Sequence, residues 1–116
     1  MKLIYIAGPF RGPTAWDIAE NVRSAERWAL EVARLGFVPV CPHAMTAHFH
    51  GQCTEQFWVD ATLELLRRCD GAIFIPGWEE SRGSRGELAE CERLGTPNAA
   101  VSSLRDLQSF AARMAK

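Results

Sequence analysis

Short apolar runs alternate along this chain with longer amphipathic segments. Apolar runs that stop at glycine, proline or polar residues are typical of strands buried on both faces of a sheet. They predict strands at residues 2–7, 37–40, 73–75 and 98–101. Segments in which apolar residues recur every three or four positions predict helices. These segments cover residues 14–35, 54–69, 84–94 and the stretch after residue 103.

This alternation of strands and helices predicts the fold class. Strands separated by helices pair in parallel through right-handed crossovers. We therefore expect an α/β fold, a three-layer Rossmann-like or flavodoxin-like single domain over residues 1–116 with a parallel sheet of four to five strands. Pro39 lacks a backbone donor, so the second strand is expected at a sheet edge.

Polar residues at the segment ends predict the helix termini. Thr14 with Asp17, and Ser103 with Asp106, are expected to cap two helices, and Gly36 to end the first one. Residues 44–52 show no clear period and are expected to form a mobile loop over the carboxyl edge of the sheet. The helix after residue 54 is expected to bury either Phe57, Ala61 and Leu65, or Trp58, Leu65 and Leu66.

Two glycine-containing loops follow the first and third strands, at residues 8–13 and 76–86. In parallel sheets ligands bind beyond the carboxyl ends of the strands, at the switch point, so both loops are expected to meet there. The second loop leads into a helix N-terminus, whose unpaired N–H groups and dipole favour phosphate. The side chains that would add donors are Ser81, Arg82, Ser84 and Arg85.

Glu87, near the start of that helix, has two interpretations. In the first, Ser84 and Glu87 form a capping box, in which the serine caps the helix and the glutamate returns the hydrogen bond. In the second, Glu87 is a catalytic carboxylate that faces the sugar carbon attached to the phosphate. The motif alone leaves both interpretations open.

Composition narrows the range of partners. A net charge of −1 and a hydrophobic content of 47% are ordinary for a globular protein, so neither polymeric nucleic acid nor a membrane is expected as a partner. The chain begins directly with a strand and has no apolar run of membrane-spanning length, so we expect a cytoplasmic protein. A domain of 116 residues is short enough for sites shared between subunits, and a homodimer is expected.

The cysteines and histidines do not predict a metal site. The four cysteines are widely spaced and contain no Cys-x-x-Cys pair, which argues against a zinc or dithiol site. His43, at the end of the second strand, is expected to face the substrate, whereas His48 and His50 are expected at the surface. No metal and no other cofactor is expected.

Two segments carry a family resemblance: YIAGPFRG at residues 5–12 and PGWEESRGSRGE at residues 76–87. Together they resemble the nucleoside 2-deoxyribosyltransferase superfamily, near the 2′-deoxynucleoside 5′-phosphate N-hydrolases and their uncharacterised phage and bacterial relatives. The resemblance implies the same α/β fold, a small-molecule nucleotide substrate and a homodimer.

The resemblance also implies catalytic roles. Glu87 matches the nucleophile, and Tyr5 matches the residue that orients it by hydrogen bonding. The general acid implied is Asp60, although the register of the motif places the expected position nearer Thr62. By spacing alone, Asp60 shares one helix face with Glu64, and such carboxylates are usually solvated or paired with arginines.

A substrate pocket follows from the same comparison. Where the family has a further glycine, this chain has Arg85. In dimers, Ser102 or Ser103 of a neighbouring subunit is a candidate contact for the phosphate. The pocket residues expected within the chain are Gly8, Pro9, Phe10, Arg11, His43, Trp78, Ser81, Gly83, Ser84 and Gly86.

These residues predict an N-glycosidic bond hydrolase that acts on a (deoxy)nucleoside 5′-monophosphate and releases the free base and the sugar 5-phosphate. Two other classes stay open: a non-catalytic nucleotide sensor and a nucleoside deoxyribosyltransferase. A phosphoribohydrolase is a neighbouring enzyme class. The sequence does not name the base.

Overall fold

The computed structural model describes residues 1–49 and 51–115, so the prediction for His50 lies outside the described residues. The strands are β1 (Leu3–Ala7), β2 (Val38–Val40), β3 (Gly71–Phe74) and β4 (Asn98–Ala100). The helices are α1 (Ala15–Arg34), α2 (Pro42–Met45), α3 (Glu55–Arg67), α4 (Arg82–Leu94) and α5 (Leu104–Met114), with a 3₁₀ turn at Trp78–Glu80. None of these helices combines the length and the apolar composition needed to cross a bilayer.

The strands β1 and β3 lie side by side in the middle of the sheet, whose order is β2-β1-β3-β4. All three strand pairs are parallel, and Tyr5 lies opposite Val40 on one side and Ala72 on the other. Because the chain moves from β1 to one edge and then back past β1 to β3, the junction of β1 and β3 is the switch point. The α/β prediction is confirmed, with four strands in the described residues and β2 at an edge.

Side chains of the central strands alternate between two apolar cores. Ile4 and Ile6 of β1 pack with residues of α1 and α5, whereas Tyr5 and Ala7 belong to the core that α3 and α4 cover. Successive residues of a strand point to opposite faces, so the register of β1 decides which helices each residue meets. This register places Tyr5 on the face that carries α4.

Helix ends follow most of the predicted caps. Thr14 and Asp17 form a reciprocal capping box at the start of α1, and Ser103 accepts a hydrogen bond from the N–H of Asp106 at the start of α5. Gly36 follows α1 with a φ of +91°, a conformation that glycine adopts without strain. These three predictions are confirmed.

Two local predictions are wrong, and a third is decided between its alternatives. The first residues of the expected 44–52 loop belong to the short helix α2, which has proline in its first turn. The helix α4 begins at Arg82, before the serine expected to cap it. On α3, Leu66 is buried and Leu65 packs against the same core, whereas Phe57 is 50% exposed, so of the two predicted faces the one with Trp58, Leu65 and Leu66 is the buried one.

Candidate active site

The loops after β1 and β3 meet at the carboxyl edge of the sheet. The N–H of Ile75 donates to the carbonyl oxygen of Ala7 at 2.9 Å and extends the β1–β3 ladder to the loops. A Cβ atom added to Gly8 would lie 2.4 Å from Ile75 Cγ1, and one added to Gly77, whose φ is +95°, would lie 3.1 Å from Pro9 Cγ. Both glycines therefore permit close approach of the two loops, as the topology predicted.

Two side chains hold the backbone of the first loop. His43 Nε2 lies 3.0 Å from the carbonyl oxygen of Gly8 and 3.1 Å from that of Pro9. Carbonyl oxygens only accept, so His43 carries a proton on Nε2 and donates it. Asn21 Nδ2 donates to the next two carbonyl oxygens, of residues 10 and 11, each at 3.1 Å. Four successive carbonyl groups are thus fixed from inside the protein.

The burial of His43 bears on its predicted contact with substrate. His43 is 7% exposed, and its Nδ1 has no hydrogen-bond partner among the described residues. Burial lowers the pKa of His43, although its two carbonyl contacts raise it, so the ring is neutral at pH 7. This position favours a role in shaping the loop over direct contact with a ligand.

Tyr5 and Glu87 form the central contact of the site. Tyr5 Oη donates a hydrogen bond to Glu87 Oε2 and joins β1 to α4. Burial raises the pKa of Glu87 to about 7, although the hydrogen bond from Tyr5 lowers it. Burial, then the charge of Glu87 and the hydrogen bond to it, raise the pKa of Tyr5 well above its usual value. Near neutral pH a protonated phenol therefore orients a carboxyl group that populates both charge states.

The cap of α4 is Ser81, not Ser84. The hydroxyl oxygen of Ser81 accepts a hydrogen bond from the N–H of Ser84 at 3.2 Å, and Ser84 lies inside the helix. The carboxylate of Glu87 bonds Tyr5, so the capping-box interpretation of Ser84 and Glu87 is wrong. The Ser84 hydroxyl is buried and has no hydrogen-bond partner among the described residues. Glu87 therefore takes no part in capping α4, and its carboxylate instead contacts Tyr5.

The first turns of α4 have open space beside two glycines. A Cβ atom on Gly83 would come no closer than 4.0 Å to Ser81 Oγ, and one on Gly86 would meet nothing within 4 Å in the described chain. The first N–H groups of a helix lack intrahelical partners and attract anions. Ser81 accepts in the cap and keeps its own hydroxyl hydrogen, so it adds a donor at this terminus.

Two arginines near this terminus have protein partners. Arg11 Nη1 lies 2.7 Å from Glu55 Oε1, in an exposed ion pair that links the first loop to α3. Arg85 Nη1 donates to the carbonyl oxygen of Glu79 at 2.8 Å and braces the 3₁₀ turn. Arg11, which was expected to line the pocket, therefore contacts the start of α3 in this structure.

Two aromatic rings flank the loops. Trp78 packs edge-on against Phe74, with ring centroids 5.5 Å apart, and the Phe10 ring centroid lies 6.0 Å from that of His43. Phe10 and Trp78 are both half-buried. Each ring therefore packs on the protein and keeps part of its surface accessible beside the loops.

The α3 residues considered for a general acid lie on different sides of the helix. The Thr62 hydroxyl contacts the Tyr5 hydroxyl, where it lowers the pKa of Tyr5, and it also donates to the carbonyl oxygen of Trp58 at 3.0 Å. Asp60 is exposed and accepts a hydrogen bond from Gln56 Nε2 at 2.9 Å. A step of two positions along an α-helix turns the side chain by roughly 200°. Asp60 therefore points away from the side on which Thr62 meets Tyr5. This placement argues against the acid role predicted for Asp60.

Metal-ligating side chains are dispersed. No group of three His, Cys, Asp or Glu within the described residues is placed to hold a metal ion. His48 and Cys53 are exposed, whereas Cys41, Cys69 and Cys91 are buried thiols.

A groove of about 330 Å³ lies between α1 and the start of α5. Its lining includes Ser102 and Ser103, the serines considered as contacts from a neighbouring subunit. Ser102 donates to Asp106 Oδ2 through its backbone and its side chain, and Ser103 caps α5. Both serines thus order the start of α5, and the groove shares no lining residue with the Tyr5–Glu87 contact.

Fold and site together define a parallel α/β domain of the Rossmann or flavodoxin type, with a tyrosine–glutamate pair beside its switch point. The chain belongs to the family described as Domain of unknown function (DUF7768), which matches residues 2–101. It is similar in structure to the 2-deoxyribosyltransferase of the psychrotolerant bacterium Bacillus psychrosaccharolyticus, with a TM-score of 0.62 and 22% sequence identity over 86% of this chain and 72% of that chain. This likeness confirms the fold that the resemblance implied. No curated protein sequence matches the chain.

Sequence reasoning missed Asn21 and assigned no role to Thr62. Asn21 gives one weak signal, as a polar residue between apolar Ile18 and Ala25 on the buried side of α1. For Thr62 the one signal in the sequence is the register of the family resemblance, which places the expected general acid near this position. The resemblance gives no reason to expect a hydroxyl group there.

Proposed function

We propose that this protein is an N-glycosidic bond hydrolase that cleaves a (deoxy)nucleoside 5′-monophosphate into free base and sugar 5-phosphate. The observation that carries the proposal is the contact between Tyr5 and Glu87, beside the open N-terminus of α4. A carboxylate oriented by a phenol next to an anion-binding helix end suits a nucleophile that attacks the sugar of a phosphorylated substrate.

Glu87 carries the covalent chemistry in this proposal. A carboxylate oxygen attacks C1′, the C1′–N bond breaks, and its electron pair leaves with the base, which gives a glycosyl ester. Water then attacks C1′, the C1′–O bond to Glu87 breaks, and that electron pair returns to the carboxylate as a proton passes to solvent. Tyr5 holds Oε2, so Oε1 is the oxygen available for attack.

The 5′-phosphate would lie at the N-terminus of α4. Ser81 supplies a hydroxyl there, the helix supplies unpaired N–H groups, and the space beside Gly83 and Gly86 admits the phosphate oxygens. Arg11 would reach the phosphate by exchanging its partner Glu55 for the ligand. Binding energy from this remote group would hold C1′ in position for attack.

The first loop and the two flanking rings would contain the rest of the substrate. Phe10 and Trp78 keep accessible surface beside the loops and suit stacking on a base. Gly8 and Pro9 would form the wall next to the sugar, with their carbonyl groups held by His43.

Two other functions have support from specific observations. Transfer of deoxyribose to a second base, rather than to water, is favoured by the 2-deoxyribosyltransferase that shares the fold, which is described as a biocatalyst for nucleoside synthesis. A non-catalytic nucleotide sensor is favoured by the exposed position of Asp60, which removes one expected catalytic group.

One assay separates the three functions. Purified protein is incubated with each deoxynucleoside 5′-monophosphate, its ribonucleotide and its parent nucleoside, with and without a second free base, and the products are separated by chromatography. Base release that is lost in Glu87→Gln and kept in Glu92→Gln supports the hydrolase, since Glu92 is an exposed glutamate of the same helix. A new nucleoside formed only with the second base indicates a transferase. A raised melting temperature without any product indicates a sensor.

We also propose that the protein is a cytoplasmic homodimer that takes a small-molecule substrate and has no polymeric nucleic acid or membrane partner. A small open sheet with its site at one edge leaves surface for a second copy of the chain. Sedimentation velocity over a range of protein concentrations measures the assembly, and a monomer at every concentration would contradict the dimer.

A further inference from the structure

Among the described residues, the side-chain partner of Glu87 is the Tyr5 phenol and not a second carboxylate. Cleavage of an N-glycosidic bond commonly uses two carboxyl groups, one at the anomeric carbon and one that protonates the departing group. The position beside Tyr5 on the α3 side holds Thr62, a hydroxyl residue. The pKa of Glu87 is set by burial and by Tyr5, and no second carboxylate among the described residues contributes to it.

Neighbouring acidic groups are committed to other contacts. Glu90, almost one turn after Glu87, bonds Arg67 at 2.5 Å and Arg93 at 2.6 Å. The hydrogen bonds from Arg93 and then Arg67 lower the pKa of Glu90 to about 2, so it carries no proton at neutral pH. The remaining acidic residues near the site face solvent. Asp60 of α3 and Glu79 and Glu80 of the 3₁₀ turn are exposed, and Glu55 forms an exposed ion pair with Arg11.

The remaining polar groups are poor proton donors for a departing base. The proton on His43 Nε2 is held by the carbonyl oxygens of Gly8 and Pro9, and the ring is buried and neutral. Thr62 already donates its hydroxyl hydrogen to Trp58, and an alkyl hydroxyl is far too weak an acid to protonate a base at neutral pH.

From this arrangement we infer that the described residues supply no side-chain acid for the leaving group and that the site selects substrates whose base departs as a weakly basic anion. The inference rests on the proposed function. The electron pair of the C1′–N bond stays on the base nitrogen, which takes a proton from water after departure, while Glu87 holds the sugar as an ester. The substrate class is therefore nucleotides whose released base is acidic at the ring nitrogen that carried the sugar, an acidity that electron-withdrawing substituents on the base increase.

The test is the dependence of kcat/KM on the acidity of the leaving base. The base that is released fastest is compared with its halogen-substituted derivatives on the same sugar 5-phosphate, because kcat/KM reports the step in which the base departs. We expect kcat/KM to rise by up to roughly tenfold for each pKa unit of added acidity, since no acid shares the developing charge. A kcat/KM that does not change with base acidity would overturn the inference.

Substitution at Thr62 provides a second test. Thr62→Asp places a carboxyl group at the contact with Tyr5, and we expect it to speed release of the least acidic base most. The dependence of kcat/KM on the acidity of the base should therefore become weaker. Thr62→Asn, of similar size but without an acidic proton, is the matched control and should keep the wild-type dependence. An unchanged dependence in a folded, active Thr62→Asp protein would count against the inference. If that variant does not fold, the wild-type series alone decides.

Failure of the inference can be told from failure of the proposed function. Base release that depends on Glu87 but not on base acidity leaves the hydrolase standing and removes only the inference. If even the most acidic base is not released in a Glu87-dependent reaction, both are overturned.

Discussion

The phenol of Tyr5 donates a hydrogen bond to the carboxylate of Glu87 across 82 positions of the chain. The side-chain alternation of β1 directs Tyr5 to the face covered by α3 and α4, and the start of α4 at Arg82 brings Glu87 onto that face. Burial raises the pKa of Glu87, and the bond from Tyr5 opposes this rise. The pair therefore controls both the orientation and the charge of the carboxylate.

Replacing Tyr5 by phenylalanine should move the pH dependence of activity. Loss of the donor lets the pKa of Glu87 rise further above about 7, so kcat/KM, which requires the ionised nucleophile, should reach its plateau at higher pH than in the wild type. The unsatisfied carboxyl group also costs about 1 kcal/mol of stability. A pH–rate profile of both proteins measures the shift. A wild-type kcat/KM that falls as pH rises through 7 would instead make Glu87 a proton donor.

Ionisation of Glu87 should weaken the fold as pH rises. Its native pKa of about 7 lies above its ordinary value of 4.5, so the native state binds more protons than the unfolded state between these values. The stabilisation is fully present below pH 4.5 and is lost as pH rises through 7. Glu87→Gln stays neutral, so it should gain about 2 kcal/mol relative to the wild type between pH 5 and pH 8. Urea denaturation at both pH values tests this, and Glu92→Gln should show no comparable gain.

Gly86→Ala should separate stability from binding. The added methyl group meets no described atom within 4 Å, and alanine favours a helix over glycine by about 0.5–1 kcal/mol, so the melting temperature should rise. If the phosphate occupies this space, the same methyl group should weaken binding of the monophosphate. Calorimetry and KM measure the two effects. Equal affinity in wild type and variant would place the phosphate elsewhere.

Gly8→Ala is the contrasting variant, because its methyl group would lie 2.4 Å from Ile75 Cγ1 inside the core. Overpacking of this kind costs about 1–3 kcal/mol, so stability should fall. A wild-type melting temperature for this variant would show that the approach of the first loop to β3 is loose.

Glu90→Gln should weaken the attachment of α3 to α4. Glu90 accepts hydrogen bonds from Arg67 of α3 and Arg93 of α4, and these lower its pKa to about 2. The stabilisation is present above the ordinary pKa of 4.5 and is lost as pH falls through 2. The variant should therefore have a lower Tm than the wild type at pH 7, and the difference should shrink near pH 2. A Tm difference of the same size at both pH values would contradict the electrostatic origin.

Local patterns accounted for the elements and most of their ends. Thr14 and Gly36 mark the bounds of α1 through contacts with near neighbours in the chain, which a linear pattern records. The start of α4 was misplaced because Ser81 and Ser84 both precede helical sequence and both suit a cap. The choice between them depends on where the chain leaves the 3₁₀ turn.

The amino-acid sequence was enough to establish the alternation of strands and helices, the parallel sheet and the meeting of two loops at its switch point. These follow from periodicity and from the handedness of crossovers, which involve few alternatives. The sequence was not enough to choose between Asp60 and Thr62, or between a capping and a tyrosine-bound Glu87. Those outcomes depend on how each helix is rotated against the sheet, and a difference of two residues turns a side chain by roughly 200°. That rotation is set by packing against residues distant in the chain, such as Tyr5, and no local pattern contains it.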